Sequence, residues 1–323
     1  MKNKPIIIVP GEPNSIFFEI LFKSIRTNNF KSPIVIIGSL KILQSQMKIF
    51  KFKKKIKVLM LDNFKNYKLD NNSINIIKVN FRKKKKNNNF NFSNLYIKNC
   101  FEVAFKILKN KLANKFINGP INKDKFFNKK YLGVTEYISK NFKIKKYAML
   151  IYNDNLSVSP LTTHLPLKLI SKKITRNLIK QQVMLIDKFY KNTFGYEPRI
   201  AVTGLNPHCE SVSKFNEDTK IIAPSILSLK KKGFNITGPF SADTIFLKNN
   251  RKNYDVILGM YHDQVLSPIK TLFEYDAINI TLGLPFLRVS PDHGPNVKMV
   301  GKNISNPLSL IKAIKFLDKS DTR

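Results

Sequence analysis

Three of the four histidines in this chain lie in short polar segments that are far apart in the sequence. His164 follows two threonines, His208 ends the segment Gly204-Leu-Asn-Pro-His208, and His262 lies in Tyr261-His-Asp-Gln264. A neutral imidazole is a common metal ligand, and three of them leave coordination positions open for a substrate. One such histidine alone is more typical of a buried turn. The prediction of a metal site therefore depends on all three and on their neighbours.

The overall composition predicts a globular, cytoplasmic protein. The chain has 323 residues, of which 43% are hydrophobic, enough for one large domain or two of ordinary size. Two cysteines without a Cys-x-x-Cys motif exclude a disulfide framework and a thiolate zinc site, and they favour a reducing compartment. The first apolar run, Ile6–Val9, is too short for a signal peptide, and no run approaches the ~18 apolar residues of a membrane helix.

The strong positive charge has two interpretations. The net charge is +36, from 57 basic and 21 acidic residues, which taken alone favours nucleic acid or an anionic surface as a partner. The chain is also rich in Lys, Asn, Ile and Phe and has no Trp, a composition that an A/T-rich genome produces without selection for binding. The lysines lack the interleaved aromatic residues of a single-strand binder. We therefore expect no nucleic-acid partner, although a positive field would help to attract phosphorylated substrates.

Short β-branched runs alternate with helical patterns, which is typical of α/β layers around a mostly parallel sheet. The predicted strands are 5–9, 33–38, 57–61, 116–118, 148–152, 200–203, 254–260 and 277–282, and the predicted helices are 15–27, 40–50, 94–113, 174–190 and 219–232. The charged run 81–90 is predicted to be a solvated loop. Polar motifs follow the predicted strands at 119–123, 204–208 and 259–263. Since ligands bind at the carboxyl ends of strands in open α/β sheets, these motifs predict one site.

The glycines do not form a standard nucleotide-binding loop. No two of the twelve are spaced Gly-x-Gly, so the Gly-x-Gly-x-x-Gly fingerprint is absent, and the chain has no Walker A loop. A nicotinamide cofactor would therefore have to bind to another kind of loop.

The polar motifs form an ordered series over nearly two thirds of the chain, from about residue 94 to about residue 301. The series consists of Asn118-Gly-Pro-Ile-Asn-Lys123, Gly133-Val-Thr-Glu136, Thr162-Thr-His-Leu-Pro-Leu167, Gly204-Leu-Asn-Pro-His208, Gly238-Pro-Phe-Ser-Ala-Asp-Thr244, Tyr261-His-Asp-Gln264, Asn279-Ile-Thr-Leu-Gly-Leu-Pro-Phe-Leu-Arg288 and Asp292-His-Gly294. In order and spacing it resembles the 4-hydroxythreonine-4-phosphate dehydrogenase family of pyridoxal phosphate biosynthesis.

This resemblance implies a fold and an assembly. It implies two α/β/α domains with mostly parallel sheets, like those of isocitrate and isopropylmalate dehydrogenases, with the active site in the interdomain cleft. The expected first domain is discontinuous, 1–130 plus 295–323, and the second is 131–294. The resemblance also implies a homodimer with a shared active site, and the absence of a long apolar run predicts no membrane partner.

The resemblance further implies a divalent metal and a nicotinamide cofactor, NAD or NADP. The metal would be held by His164, His208 and His262, one of them donated by the partner subunit. Zinc suits three imidazoles with added oxygen ligands, and Mg, Co and Mn are the alternatives. His293 and Gly294 are expected to hold the adenosine of the cofactor.

The same resemblance assigns four residues to the substrate, namely Thr135, Lys270, Asn279 and Arg288. Arg288 offers a planar fork for an oxyanion, and Lys270 offers a compact positive charge. Asn279 can both donate and accept a hydrogen bond. These types fit a substrate that carries a phosphate, a carboxylate and an amine.

Three residues are candidates for the group that takes the proton from the substrate hydroxyl. They are Lys270, Asp243 and Asp263. The two aspartates could instead orient a metal-binding histidine, and the sequence leaves both roles open. The expected reaction is metal-dependent oxidation of 4-phosphohydroxy-L-threonine with decarboxylation to an aminoketone phosphate.

The chain departs from the family pattern in three places. Val134 stands where the family usually has a substrate-contacting His. The N-terminal loop has Ser15 and Phe17 in place of two glycines, and residues 295–298 replace small and acidic residues. Val134 makes a related substrate, a 4-phosphorylated threonate or erythronate, the first alternative. The second alternative is a basic nucleic-acid binder on a decayed enzyme scaffold, against which the three retained histidines argue.

Overall fold

The chain forms two compact units, and the first combines both ends of the sequence. The computed structural model describes residues 4–81, 92–122, 126, 131, 133–210, 215–291, 294 and 296–319. The first unit is Met1–Ile138 with Pro285–Arg323, and the second is Ser139–Leu284. The sequence predicted domain boundaries after residues 130 and 294. The difference moves Thr135 and Arg288 from the second unit to the first.

The first unit contains a parallel sheet. Its strands are β1 Ile6–Val9, β2 Ile34–Gly38, β3 Ile56–Leu59, β4 Ile74–Lys78, β5 Lys115–Asn118 and β12 Leu287–Pro291. They lie in the order β3-β4-β2-β1-β5-β12 with parallel pairing. Every residue of β1, Ile-Ile-Ile-Val, is buried, as expected for a parallel sheet that is covered on both faces.

The described residues of this unit contain four α-helices and the first part of a fifth. They are α1 Phe17–Thr27, α2 Leu40–Ile49, α3 Phe92–Lys109, α4 Val134–Asn141 and α9 Leu308–Lys319. The α4 helix continues across the boundary into the second unit. The α2 helix begins where the side chain of Ser39 accepts a hydrogen bond from the Ile42 amide at 3.4 Å. A partly buried ion pair at 2.8 Å joins Glu19 and Lys23 of α1, and both side chains bind backbone groups of residues 303–305. These bonds attach the returning end of the chain to the unit.

The second unit has a mixed sheet whose larger part is parallel. Its strands are β6 Ala148–Tyr152, β7 Ser157–Thr162, β8 Ile200–Thr203, β9 Ile236–Phe240, β10 Val256–Tyr261 and β11 Ile278–Leu282. They lie in the order β11-β6-β7-β10-β8-β9. The pairs β11–β6 and β6–β7 are antiparallel, and the pairs from β7 to β9 are parallel.

Four further α-helices lie within the described residues of the second unit. They are α5 Arg176–Phe194, α6 Ala223–Lys231, α7 Lys248–Arg251 and α8 His262–Phe273. Thr175 caps the start of α5 by accepting from the Leu178 amide at 3.2 Å, and Gly195 ends it with a left-handed φ of 80°. The α8 helix begins at His262 itself, directly after β10.

The expected fold class, α/β with mostly parallel sheets, is confirmed. The sequence did not predict β4, β7, β9, β12 or the helices α4, α7, α8 and α9. Several of these contain residues that argue against a regular element, such as Pro160 in the middle of β7 and Pro268 inside α8. The predicted loop 81–90 lies outside the described residues except for Phe81. None of the described helices has both the length and the apolar character that a membrane-spanning segment requires.

Candidate active site

Three adjacent parallel strands bring the histidine segments to one edge of the second sheet. The β10 strand pairs in parallel with β7 on one side and with β8 on the other. His164 follows the end of β7, His262 directly follows β10, and His208 lies in a short turn after β8. Because the carboxyl ends of parallel strands meet at the same edge, this edge carries all three. We call these three residues the histidine edge.

His164 and His262 lie close to each other. Their ring centroids are 5.7 Å apart, and the ring planes are inclined by 36°. Since a Zn–N bond is about 2.0–2.1 Å long, two imidazoles that share one ion have centroids roughly 5–6 Å apart. The spacing of this pair is therefore that of two ligands of one metal ion.

Two of the three histidines have a left-handed backbone. The φ angle is 53° at His164 and 55° at His208, and Cys209 follows with 61°. Residues other than glycine adopt this region uncommonly, and such strained positions cluster at functional sites. The exposed position of both imidazoles fits that interpretation.

A short polar chain lies beside His208. Its Nδ1 is 3.5 Å from the Ser241 hydroxyl, and that hydroxyl donates to Asp243 Oδ1 at 2.6 Å. The hydrogen bond from Ser241 is the main reason that the pKa of Asp243 lies below its ordinary value, and His208 contributes in the same direction. Asp243 is therefore ionised, and the Ser241 hydroxyl connects its carboxylate to the His208 ring.

Asp263 contacts His262 directly. Asp263 Oδ1 lies 2.6 Å from His262 Nδ1. A carboxylate at Nδ1 favours the tautomer that presents Nε2 as the metal ligand and fixes the ring orientation. This contact supports the orienting role for Asp263, one of the two roles left open by the sequence.

The donor chemistry of the histidine edge fits a zinc-type metal. Within the ranges that the structure describes, no three His, Cys, Asp or Glu side chains come together as a complete metal-binding group. The described residues thus provide a close pair, His164 and His262, and a separate third imidazole. A pair needs further ligands, which agrees with the shared site that the family resemblance implies.

Lys270 and Asn279 belong to the same unit. Lys270 lies in the last turn of α8, where burial lowers its pKa below the ordinary value for lysine. Asn279 lies in β11, and its Oδ1 is buried without a hydrogen-bond partner among the described residues. A buried, unpaired acceptor costs free energy unless a ligand supplies a donor. This observation suits the substrate contact expected for Asn279.

The first unit contains a second candidate group around Arg288, which we call the Arg288 cluster: Arg288, Asn118, Thr135 and Glu136. The Arg288 side chain is buried, donates from Nε to Asn118 Oδ1 at 2.9 Å, and donates from Nη1 to Thr135 Oγ1 at 3.1 Å. Burial lowers the pKa of Arg288 to about 10, and the charge of Glu136 opposes that shift. The cluster thus holds a desolvated guanidinium in one orientation.

The strands and helix of the first unit position this cluster. Asn118 is the last residue of β5, Arg288 lies on the adjacent parallel strand β12, and Thr135 lies in the first turn of α4. Val134 begins α4 directly before Thr135. The position where the family has a contacting histidine therefore lies next to the cluster.

The altered N-terminal loop packs against the loop after β5. The Glu12 amide donates to the Pro120 carbonyl at 2.9 Å, and the Asn122 amide donates to Glu12 Oε1 at 3.1 Å. Ser15, which replaces a family glycine, donates to the Glu12 carbonyl at 2.9 Å. The changed loop is thus tied to the Gly119-Pro120 motif.

Of the predicted cofactor residues, His293 lies outside the described residues and Gly294 lies within them. The sequence analysis gave no role to four residues that contact the candidate groups: Asn118, Ser241, Asp218 and Gln264. Asn118, Ser241 and Gln264 lie inside the motifs described above, so the sequence could have identified them as candidate site residues. Asp218 lies directly before the predicted helix 219–232 with no motif around it, and only the folded structure reveals its bonds to the segment before His208.

Comparisons with known proteins show which proteins the chain is similar to. The family model described as "Pyridoxal phosphate biosynthetic protein PdxA" matches residues 29–317. A 4-hydroxythreonine-4-phosphate dehydrogenase of Sulfurihydrogenibium sp. is 42% identical over 219 residues, which cover 67% of each chain. A D-threonate 4-phosphate dehydrogenase of Pectobacterium atrosepticum is 34% identical over 220 residues, 67% of this chain and 68% of that one.

Solved structures match over almost the full length. A 4-hydroxythreonine-4-phosphate dehydrogenase from Klebsiella pneumoniae superposes with a TM-score of 0.82 at 27% identity, covering 98% of both chains. A β-decarboxylating dehydrogenase from Thermococcus kodakarensis superposes with a TM-score of 0.51 at 12% identity, over 96% of this chain and 81% of that one. The second likeness concerns the fold alone, and it confirms the expected relation to that class of dehydrogenase.

Proposed function

The chain belongs to the pyridoxal phosphate biosynthetic protein PdxA family, and we propose that it oxidises 4-phosphohydroxy-L-threonine at C3. In this reaction the C3 hydroxyl loses its proton to a group of the protein and C3 transfers a hydride to NAD or NADP. The resulting β-keto acid releases its carboxylate as CO₂ to give an aminoketone phosphate. The reaction would place the enzyme in vitamin B6 biosynthesis, in the reducing cytoplasm that its free cysteines favour.

The observation that carries the proposal is the arrangement of the histidine edge, with three histidines after three adjacent parallel strands. His164, His208 and His262 would hold a divalent metal, with one ligand from the partner subunit of a homodimer. Zinc fits this donor set best, and Mg, Co and Mn are alternatives. When bound, such a metal supplies Lewis acidity that lowers the pKa of the substrate hydroxyl.

The Arg288 cluster and two residues of the second unit would bind the substrate. Arg288, with Thr135 beside it, offers directed donors to an oxyanion of the substrate. Lys270 adds a positive charge, and Asn279 Oδ1 can accept from the substrate ammonium group.

Three groups of the protein can take part in proton transfer. Lys270 has a lowered pKa, so a neutral amine that accepts a proton is more accessible than in an exposed lysine. Asp263 at His262, and Asp243 through Ser241 at His208, hold imidazoles in a defined orientation. We therefore assign the proton acceptor to Lys270 and the orienting roles to the two aspartates.

The nicotinamide cofactor would use His293 and Gly294 for its adenosine. This part of the proposal rests on the resemblance, since the chain has no Gly-x-Gly loop.

One observation favours a second substrate class, a 4-phosphorylated threonate or erythronate. Val134 stands next to Thr135 of the Arg288 cluster and offers no polar contact to a substrate amine. The similarity to a D-threonate 4-phosphate dehydrogenase supports the same alternative.

The test is NADH or NADPH formation by the purified, zinc-loaded protein. 4-Phosphohydroxy-L-threonine, D-threonate 4-phosphate and D-erythronate 4-phosphate are compared at equal concentrations, with and without a chelator. The proposal predicts the highest kcat/KM with the amino substrate and loss of turnover with the chelator. A higher kcat/KM with a hydroxy acid assigns the alternative. No turnover with any of the three and any added divalent metal contradicts a dehydrogenase function.

A further inference from the structure

We propose that Gln264 is a positioning residue for the histidine edge, which it serves by joining the segment before His208 to the turn that carries His262. The inference rests on the metal-dependent function proposed above, but the bonds that suggest it are independent of any ligand. Gln264 lies in the first turn of α8, two residues after His262.

Both ends of the Gln264 amide are used. Its Oε1 accepts from the Met260 amide at 2.7 Å and from the Thr203 hydroxyl at 2.8 Å. Its Nε2 donates to the Gly204 carbonyl at 2.8 Å. One side chain therefore joins the ends of β10 and β8, although the residues it connects are about sixty positions apart in the sequence.

These bonds begin where the pairing of the two strands ends. The described register of β10 with β8 runs from Val256 with Ile200 to Leu258 with Val202. Thr203 and Gly204 lie just beyond the last pair. The amide of Gln264, which has both a donor and an acceptor like a peptide group, continues the connection past the end of the ladder.

The segment before His208 is also held from its other side. The carboxylate of Asp218, which is buried, accepts from the amides of Leu205 at 2.7 Å and Asn206 at 3.2 Å. A Cβ on Gly204 would lie 2.6 Å from Asp218 Oδ1, so the close approach requires glycine at this position. With its carbonyl bound to Gln264 and its following amides bound to Asp218, this segment has a fixed path.

The fixed path matters because His208 follows two residues later in a left-handed conformation. A residue held in such a conformation depends on its surroundings to keep it there. Loss of the Gln264 bonds should therefore release His208 and the start of α8 together. Gln264 would position both histidines whether they bind one metal ion or the two equivalent ions of a dimer.

The experiment measures the affinity of the metal-free full-length protein for Zn²⁺ by competition with a chromophoric chelator. For Gln264→Leu we expect the dissociation constant to rise about 10–100-fold, the usual effect of removing groups that orient metal ligands. Hydrogen–deuterium exchange should increase in peptides that contain 203–206 and 260–264, because both segments lose hydrogen bonds.

Two further variants make the test specific. Gln182→Leu is the control, since Gln182 is another glutamine of this unit whose side-chain amide joins backbone and side-chain groups: it is buried and donates to Ser159 Oγ at 2.7 Å and to the Pro160 carbonyl at 3.2 Å. It should retain the wild-type Zn²⁺ affinity. Thr203→Val removes one of the three bonds and should raise the dissociation constant by a few-fold, and it carries the test if Gln264→Leu does not fold.

The outcomes separate this inference from the proposed function. An unchanged Zn²⁺ affinity in Gln264→Leu, or an equal loss in Gln182→Leu, overturns the positioning role. A wild-type protein that binds no Zn²⁺ overturns both the positioning role and the metal part of the proposed function. A wild type that binds Zn²⁺ but turns over none of the three substrates contradicts the dehydrogenase alone, while the affinities of the variants still decide the role of Gln264.

Discussion

The two candidate groups are built in opposite ways. The Arg288 cluster holds a buried guanidinium in the first unit. Hydrogen bonds to two neutral side chains, Asn118 and Thr135, fix the direction of its N–H donors. The histidine edge has exposed or half-exposed imidazoles, which are oriented by an aspartate, a serine and a strained backbone. An anion receptor gains from a dry environment, since charge-assisted bonds are stronger there. A metal site must keep coordination positions open, so its rigidity has to come from the residues around the ligands.

The largest effect that follows from this difference is at Arg288. In Arg288→Lys the charge is kept but the fork to Asn118 and Thr135 is lost, so we expect kcat/KM to fall by about 100-fold or more. Arg199→Lys is the matched control, because Arg199 also uses its guanidinium fork, to bind Asp255, but contacts none of the described candidate residues. Steady-state kinetics of both variants are the measurement. A fall of less than about threefold in Arg288→Lys would remove the anion-binding role.

The next effect concerns the pH dependence given by Lys270. Burial lowers its pKa, and only the neutral amine can accept a proton, so kcat should rise with pH and level off below the ordinary lysine pKa. Arg at this position stays protonated. Lys270→Arg should therefore lower kcat by about 10–100-fold and abolish the rise. A pH–kcat profile with the same rise in the variant would assign the proton acceptor to another group.

Asn118 should have an intermediate effect, through Arg288. Asn118→Ala removes the acceptor for Arg288 Nε, and we expect KM to rise about tenfold while kcat changes little. Asn75→Ala is the control, since Asn75 is also buried in the first sheet but bonds to the Ile34 and Asp70 carbonyls. Equal KM changes in the two variants would mean that Asn118 acts on stability alone.

The smallest expected effect is on Zn²⁺ binding at the histidine edge, and it concerns Ser241. In Ser241→Ala the hydroxyl between His208 and Asp243 is lost, so the pKa of Asp243 should return upward and Zn²⁺ affinity should fall by a few-fold. Ser225→Ala, which removes a hydroxyl bound to the Ile221 carbonyl, is the control. The pKa of Asp243 can be followed by NMR of its side chain, and no change would exclude the link.

The sequence predicted most strands well, including β5, β8, β10 and β11, which contain or lead into candidate residues, but it missed β7 and β12. Strands such as Ile6–Val9 and Ile200–Thr203 consist largely of β-branched residues, which favour buried strands. Their predicted bounds agree with the structure within one residue at each end. By contrast, β7 contains Pro160 and β12 contains Arg288 and Pro291. Proline and a charge argue against a central strand, but here hydrogen bonds and neighbouring strands compensate for them.

The candidate residues were predictable in type, but their pairing was not. The motif series identified the histidines, Lys270, Asn279 and Arg288 as residues that carry chemistry. It could not predict that Asn118 and Thr135 hold Arg288, or that Gln264 joins Thr203 to Met260, because these contacts span long stretches of sequence. Register and strand order, which decide such contacts, depend on the whole sheet rather than on a local pattern.

The measurement that tests the central claim most directly compares metal binding with substrate binding in the same variants. Zn²⁺ affinity and NADH formation are measured for wild type, His262→Ala and Arg288→Lys. We predict that His262→Ala loses Zn²⁺ affinity and turnover together, whereas Arg288→Lys keeps wild-type Zn²⁺ affinity and loses kcat/KM. If Arg288→Lys weakens Zn²⁺ binding as much as His262→Ala does, or if His262→Ala binds Zn²⁺ as wild type does, the division of roles between the two groups is contradicted.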